Sequence, residues 1–232
     1  DVSDKAANVR SLPKLTDTQI QKIEENYRGR LGAVKSIDDQ IGKIMKSLKN
    51  GKEIRNTVVI FTSDNGYLQG EHRLAASKFL PFENAVRVPM LIRGPGIKAG
   101  RKVTGHTMDV DLTPTILGAA KARPGRLMDG ISLLGVARKK AKLPYRDVPL
   151  EALKPIFKFT TPLTAFDLPF YGVKTHRYKY IHWSFDEVEL YDLKKDPNEL
   201  ENIAGDPAMA GVVSKLEKEA ARLSKCKGKA CR

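Results

Sequence analysis

The chain has 232 residues and a formal net charge of +14, and 41% of its residues are hydrophobic. That hydrophobic share excludes wholesale disorder, the length allows one large domain or two modest ones, and no apolar run is long enough to span a bilayer. The positive excess either draws a polyanion (nucleic acid, sulfated polysaccharide or a membrane surface) or is solvated surface charge.

The opening "DVSDKAANVRSLPKL" carries no apolar stretch of the signal-peptide type and no initiating Met, so a piece of a longer protein is expected. From Thr16 to Lys49, Ile20, Ile23, Tyr27, Leu31, Val34, Ile37, Ile41, Ile44 and Leu48 recur at helical spacing. Thr16 or Asp17 caps the start of that helix, and Asn50-Gly51 stops it. "TVVIFT", residues 57–62, reads as a strand buried on both faces, because apolar residues run on without alternation. Helix and strand together form half of a βαβ unit. Ser63, Asp64, Asn65 and Gly66 then break the strand with turn chemistry, and Gly66 permits a positive φ. In an open α/β sheet, ligands gather outside the carboxyl ends of strands, and the side-chain oxygens of Asp64 and Asn65 suit a hard cation there. An ordinary strand-to-loop turn is the alternative reading.

A polar loop of about twenty residues follows, long enough to point to function. It holds His72, Arg73, Lys78 and Glu83. Lys78 and His72 would place positive charge or a hydrogen-bond donor on a tetrahedral oxyanion; a solvated amine and a locally bonded loop imidazole are the plainer readings. "VPMLIRGPGI" is a second buried strand, and in "HTMDVDLTPTILGAA" Asp111 or Thr113 caps a short helix with Pro114 in its first turn. Residues 121–146 read as surface connection ending in a domain boundary. "FYGVKT", "YKYIHWSF" and "VELYDL" form an antiparallel meander, and "DPNELENIA" turns into an amphipathic helix over 207–224. Cys226 and Cys231 lie close together beside Gly228, favouring a short-loop disulfide over free thiols and an oxidising compartment. No Ser-His-Asp set, phosphate-binding glycine loop or obvious nucleophile is visible.

In its order, "NTVVIFTSDNGYLQGEHR…K…FEN…VRVPMLIRGPG" resembles the C-terminal part of the sulfatases, within the alkaline-phosphatase-like superfamily. "YRGRLGAVKSIDDQIGKIMKSLK" before it, "DVDLTPTIL" and "DGISLL" after it, and "RYKYI…ELYDLKKDPNELENIA" follow the family's sequence of elements. The ends, "DVSDKAANVR" and "CKGKACR", look most like glucosamine-6-sulfatase-type and bacterial arylsulfatase-like members.

The resemblance implies the C-terminal part of an α/β/α sandwich over residues 1–144 and a small α+β subdomain with an antiparallel sheet over 145–232. It implies that Asp64 and Asn65 are two ligands of a Ca2+ site, that Lys78 contacts the sulfate, and that His72 lies near it. "AASK" departs from the usual Gly or aromatic residues before that lysine. The Cys-x-Pro-Ser-Arg motif that yields formylglycine, and the first Asp pair of the calcium site, belong to an N-terminal half that is not in this sequence. The implied partners are that half of the enzyme and a sulfated small molecule or polysaccharide, with no nucleic acid and no membrane span. The implied setting is secreted, periplasmic or lysosomal. A phosphatase or phosphonate hydrolase on the same scaffold, and a basic polyanion-binding module, are the alternatives.

Overall fold

A computed structural model describes residues 1–75, 77–152 and 169–231. The N-terminal segment is anchored rather than loose. Val2, Ala6 and Val9 are buried around the short helix α1, Ala7–Arg10, while Lys5 Nζ reaches the Leu200 carbonyl at 2.6 Å. Glu189 Oε1 accepts from the Ala6 amide at 2.6 Å, which fastens this segment to the last strand of the molecule.

Helix α2, Asp17–Asn50, starts as its sequence demands: the Thr16 hydroxyl accepts from the Gln19 amide and the Gln19 side chain accepts from the Thr16 amide. Its end differs in one respect from expectation. Gly51 keeps right-handed backbone, and Lys52 takes the left-handed place at φ 62°. Glu53 N then donates to Leu48 O and Lys52 N to Lys49 O, the bonding of a Schellman stop. No residue of α2 is buried, and Ile20, Tyr27, Leu31, Val34, Ile37 and Ile44 are all exposed. The amphipathic stripe is real, yet most of it lies open, with Ile23 and Ile41 only half-buried.

Strand β1, Val59–Thr62, pairs with β2, Met90–Arg93, in antiparallel register from Val59↔Arg93 to Thr62↔Met90. The reason for that direction lies in the connection. Gly66 N donates to Ala85 O and Tyr67 N to Asn84 O, so the loop folds back on itself at the carboxyl end of β1. The chain re-enters the sheet where it left, and only antiparallel pairing is possible. Burial on both faces is corrected, since Phe61 and Leu91 are exposed. A continuous apolar run signals the environment of a complete sheet, and this one has two strands.

The C-terminal half holds a four-stranded antiparallel sheet in sequential order: β3 (Val148–Ala152), β4 (Phe170–Lys174), β5 (Tyr178–Trp183) and β6 (Val188–Asp192). The meander read from the sequence is β4 to β6, and β3 is an added strand. Alternation sorts the two faces. Phe170, Ile181, Trp183 and Tyr191 share one core with Val2, Val9, Leu68, Leu74 and Phe82, whereas Val173, Tyr180 and Leu190 meet Leu216, Ala220 and Leu223 of helix α6, Ala210–Leu223. The first core takes residues from both sides of position 145.

Helix α4, Leu112–Ala119, begins after Asp111, but that carboxylate does not cap it. Asp111 is fully buried, paired with Arg146 and accepting from the amides of Met108 and Ile131, each at 2.9 Å. A disulfide joins Cys226 to Cys231, as the sequence suggests. Among the described residues no helix is long and apolar enough to cross a membrane.

Candidate active site

The loop from Ser63 to Pro89 is built as a stem with a buried tip. At its mouth Asp64 is exposed, its Oδ1 accepting from the Asn65 amide at 2.9 Å, while Asn65 Nδ2 donates to Gly66 O at 2.7 Å. The donor side of that amide is thereby committed, and its oxygen stays available. Gly66 is required by proximity, and its φ is not positive. A Cβ there would lie 2.0 Å from Asn84 O.

Farther along the stem, Leu68 and Ser77 exchange backbone hydrogen bonds of 2.8 and 3.3 Å. Lys78 directly follows Ser77 in this stem, while the Tyr67 amide donates to Asn84 O at 2.7 Å. Lys78 is half-buried, with its ammonium 5.1 Å from the Phe79 ring centre, and Phe79 has φ 66°. Tyr67 in turn carries the Arg30 guanidinium of α2 on its ring, 3.6 Å from the centre. The sequence offered no pointer to Arg30, because nothing in helical spacing ties it to a loop thirty-odd residues on.

The tip turns inward. His72 has left-handed backbone at φ 53°, is buried, and stacks on Phe82 with ring centres 4.2 Å apart. Burial, followed by the charge of Lys5, pushes its imidazole down to about 4, with Lys179 acting in the same direction. Its Nε2 has no hydrogen-bond partner among the described residues. His72 is thus held in the packed end of the loop, and Lys78 in the stem.

Glu83, read with the loop's chemistry, is turned toward the C-terminal sheet. Its carboxylate lies 2.7 Å from Lys174 Nζ and 2.9 Å from Lys179 Nζ. Lys179 is itself fully buried, 2.6 Å from Glu199 and donating to Pro81 O at 2.8 Å; Glu199 accepts from the Glu83 amide at 2.6 Å. Burial works to raise the Glu83 carboxyl, and Lys179 with Lys174 outweighs it and holds the group below its usual range. The signal for Lys179 was present in the strand: alternation places it on the inner face with Ile181 and Trp183.

Among the described residues no group of three or more His, Cys, Asp or Glu could hold a metal ion. Calcium takes about six to eight oxygen ligands, so Asp64 and Asn65 fit as part of such a site and not as the whole of it.

Comparison with known proteins identifies the family. The family description "N-sulphoglucosamine sulphohydrolase, C-terminal" matches residues 70–226, and "Sulfatase" matches residues 4–122. An arylsulfatase of Volvox carteri is 34% identical over all of this chain and 39% of its own length. The N-acetylglucosamine-6-sulfatase of Bos taurus is 31% identical over 94% of this chain and 43% of its length. A solved structure, BT4656 in complex with its substrate D-glucosamine-2-N,6-O-disulfate, superposes with a TM-score of 0.73 at 31% identity, covering 83% of this chain and 39% of that one. The chain thus spans well under half the length of these relatives. With two family descriptions covering it from residue 4 to residue 226, the chain belongs to the sulfatase family, as part of an alkaline-phosphatase-like fold.

Proposed function

We propose that this chain is the C-terminal part of a calcium-dependent sulfatase acting on a sulfate ester of a carbohydrate, and that it contributes half of the active site. The observation that carries this reading is the Leu68–Ser77 pairing, which sets Lys78 in the same stem as Asp64 and Asn65. Asp64 and Asn65 would hold the cation, which when bound supplies Lewis-acid polarisation of a sulfate oxygen. Lys78 binds the sulfuryl oxygens and stabilises the negative charge that gathers on them. His72, kept neutral by burial and stacked on Phe82, acts as a neutral imidazole and not as a cation, its Nε2 being unpartnered among the described residues. A formylglycine nucleophile and the remaining calcium ligands would come from the N-terminal half, so this chain alone is expected to be inactive. An N-acetylglucosamine 6-sulfate-type sugar is the proposed substrate, because relatives of that name match across both halves of the chain. The disulfide suits a secreted, periplasmic or lysosomal setting.

The test joins this chain to a formylglycine-bearing N-terminal half and measures sulfate release together with calcium affinity. Asp64→Ala should weaken both. Lys78→Ala should leave calcium affinity unchanged and lower turnover by about a hundred- to a thousandfold, the usual cost of one such contact. Unchanged turnover in Lys78→Ala, or full activity in a chelator, would refute the assignment.

A further inference from the structure

Two basic segments far apart in the chain come together, both distant in sequence from the loop proposed to bind sulfate. The first follows α4 and contains Lys121, Arg123 and Arg126; the second is the disulfide-closed tail with Lys225, Lys227 and Lys229. They are fastened where Gly228 N donates to Asp129 Oδ1 at 2.6 Å. Gly228 has φ 60°, and a Cβ on it would fall 2.6 Å from Leu127 Cδ2, so the Leu127 side chain lies directly over that glycine. Arg126 is thus the chain neighbour of the residue that covers Gly228, and Lys227 and Lys229 flank that glycine.

All six cations are exposed, and none is in an ion pair among the described residues. Arg222 nearby is different. Glu219 takes its charge at 2.7 Å, and the second Arg222 amine group donates to Ala230 O, also at 2.7 Å, bracing the tail from behind. The disulfide and the Asp129 bond hold Lys227 and Lys229 in a closed loop, with Lys225 immediately before it. Fixed cations with unspent charge, spaced along two strands of backbone, suit a polymer that carries anions at intervals.

We infer that these two segments form a docking surface for a sulfated polysaccharide chain, separate from the loop that would bind the scissile sulfate. Neither basic segment contains Phe, Tyr or Trp, so the stacking platform used for single-stranded nucleic acid is missing. A disulfide-bearing tail also belongs where extracellular polymers are met and nucleic acid is scarce. The surface lies wholly within this chain and needs neither the nucleophile nor the calcium.

The experiment measures binding of the intact chain to a heparin-derived oligosaccharide, to single-stranded DNA of matched charge, and to neutral dextran. The triple variant Lys225→Glu, Lys227→Glu, Lys229→Glu, and separately Arg126→Glu, should each weaken heparin binding, the triple by at least about tenfold. The control variant Lys43→Glu, Lys46→Glu, Lys49→Glu, on exposed positions of α2, changes net charge equally and should shift heparin binding far less. Circular dichroism confirms that each variant keeps its fold. Equal weakening by the two triples would show only the overall charge acting, and DNA bound as tightly as heparin would replace the polysaccharide; either result overturns the proposal.

Discussion

His72 joins two costly features in one residue, a left-handed backbone and a buried imidazole, and such features concentrate where a loop is held in one shape. Its depressed ionisation makes the cost readable in solution. Folded His72 resists protonation until about pH 4, whereas the unfolded residue takes its proton near 6.5, so the unfolded state binds more protons between those values. Stability contributed by the neutral ring is full above the unfolded value and is lost as pH falls through this window. Between pH 7 and pH 5 the chain should lose about 2 kcal/mol from this group. His72→Gln keeps a hydrogen-bonding side chain without the titration and should flatten that part of the profile. Urea unfolding of both proteins across this range is the check, and parallel profiles would acquit the imidazole.

At the scale of elements, the end of α2 is the place where local chemistry and backbone conformation disagree. Lys52 occupies the left-handed position, where a Cβ costs roughly 1–2 kcal/mol, and the glycine suited to that role stands one residue earlier. Lys52→Gly relieves the strain at an entropic cost of roughly 0.5–1 kcal/mol, leaving a net gain at the helix end. The amides of Glu53 and Ile54, both bonded to Leu48 O, should then exchange with solvent about threefold more slowly. Faster exchange would mean that the Lys52 side chain contributes more than its backbone costs. The same element shows why helix boundaries were legible and strand direction was not. Thr16, Gln19, Asn50 and Gly51 act through neighbours in sequence, so their roles are written locally. The direction of β2 depends on where a loop of mixed composition turns back, and that rests on the contact between Gly66 and Asn84.

Across the whole molecule, the meander, the last helix and the disulfide were readable because period-two and helical spacing, and two cysteines flanking a glycine, determine them almost alone. Asp64 and Asn65 stood out as an oxygen pair at a strand end and Lys78 as a loop cation, and motif order is what joins them in one proposed site. Arg30, Lys179 and Glu199 were not singled out, since each acquires its role from a partner distant in the chain. Lys179 and Glu199 are the clearest case, both fully buried and 2.6 Å apart, joining the sheet to the loop through Glu83 and Pro81. Such a pair is costly to desolvate and costlier to halve. Lys179→Met leaves Glu199 without its cation and should destabilise the chain by about 3–5 kcal/mol. Glu199→Gln retains an oxygen for the Glu83 amide while removing the charge, so it isolates the ionic part of the contact. In the double variant neither charge is stranded, and the loss should fall short of the sum of the two single losses by about 1–3 kcal/mol. Urea titrations of the four proteins give that coupling directly. Additive losses would mean that Lys179 acts through Glu83 and Pro81 alone, and that the loop is tied to the sheet without help from Glu199.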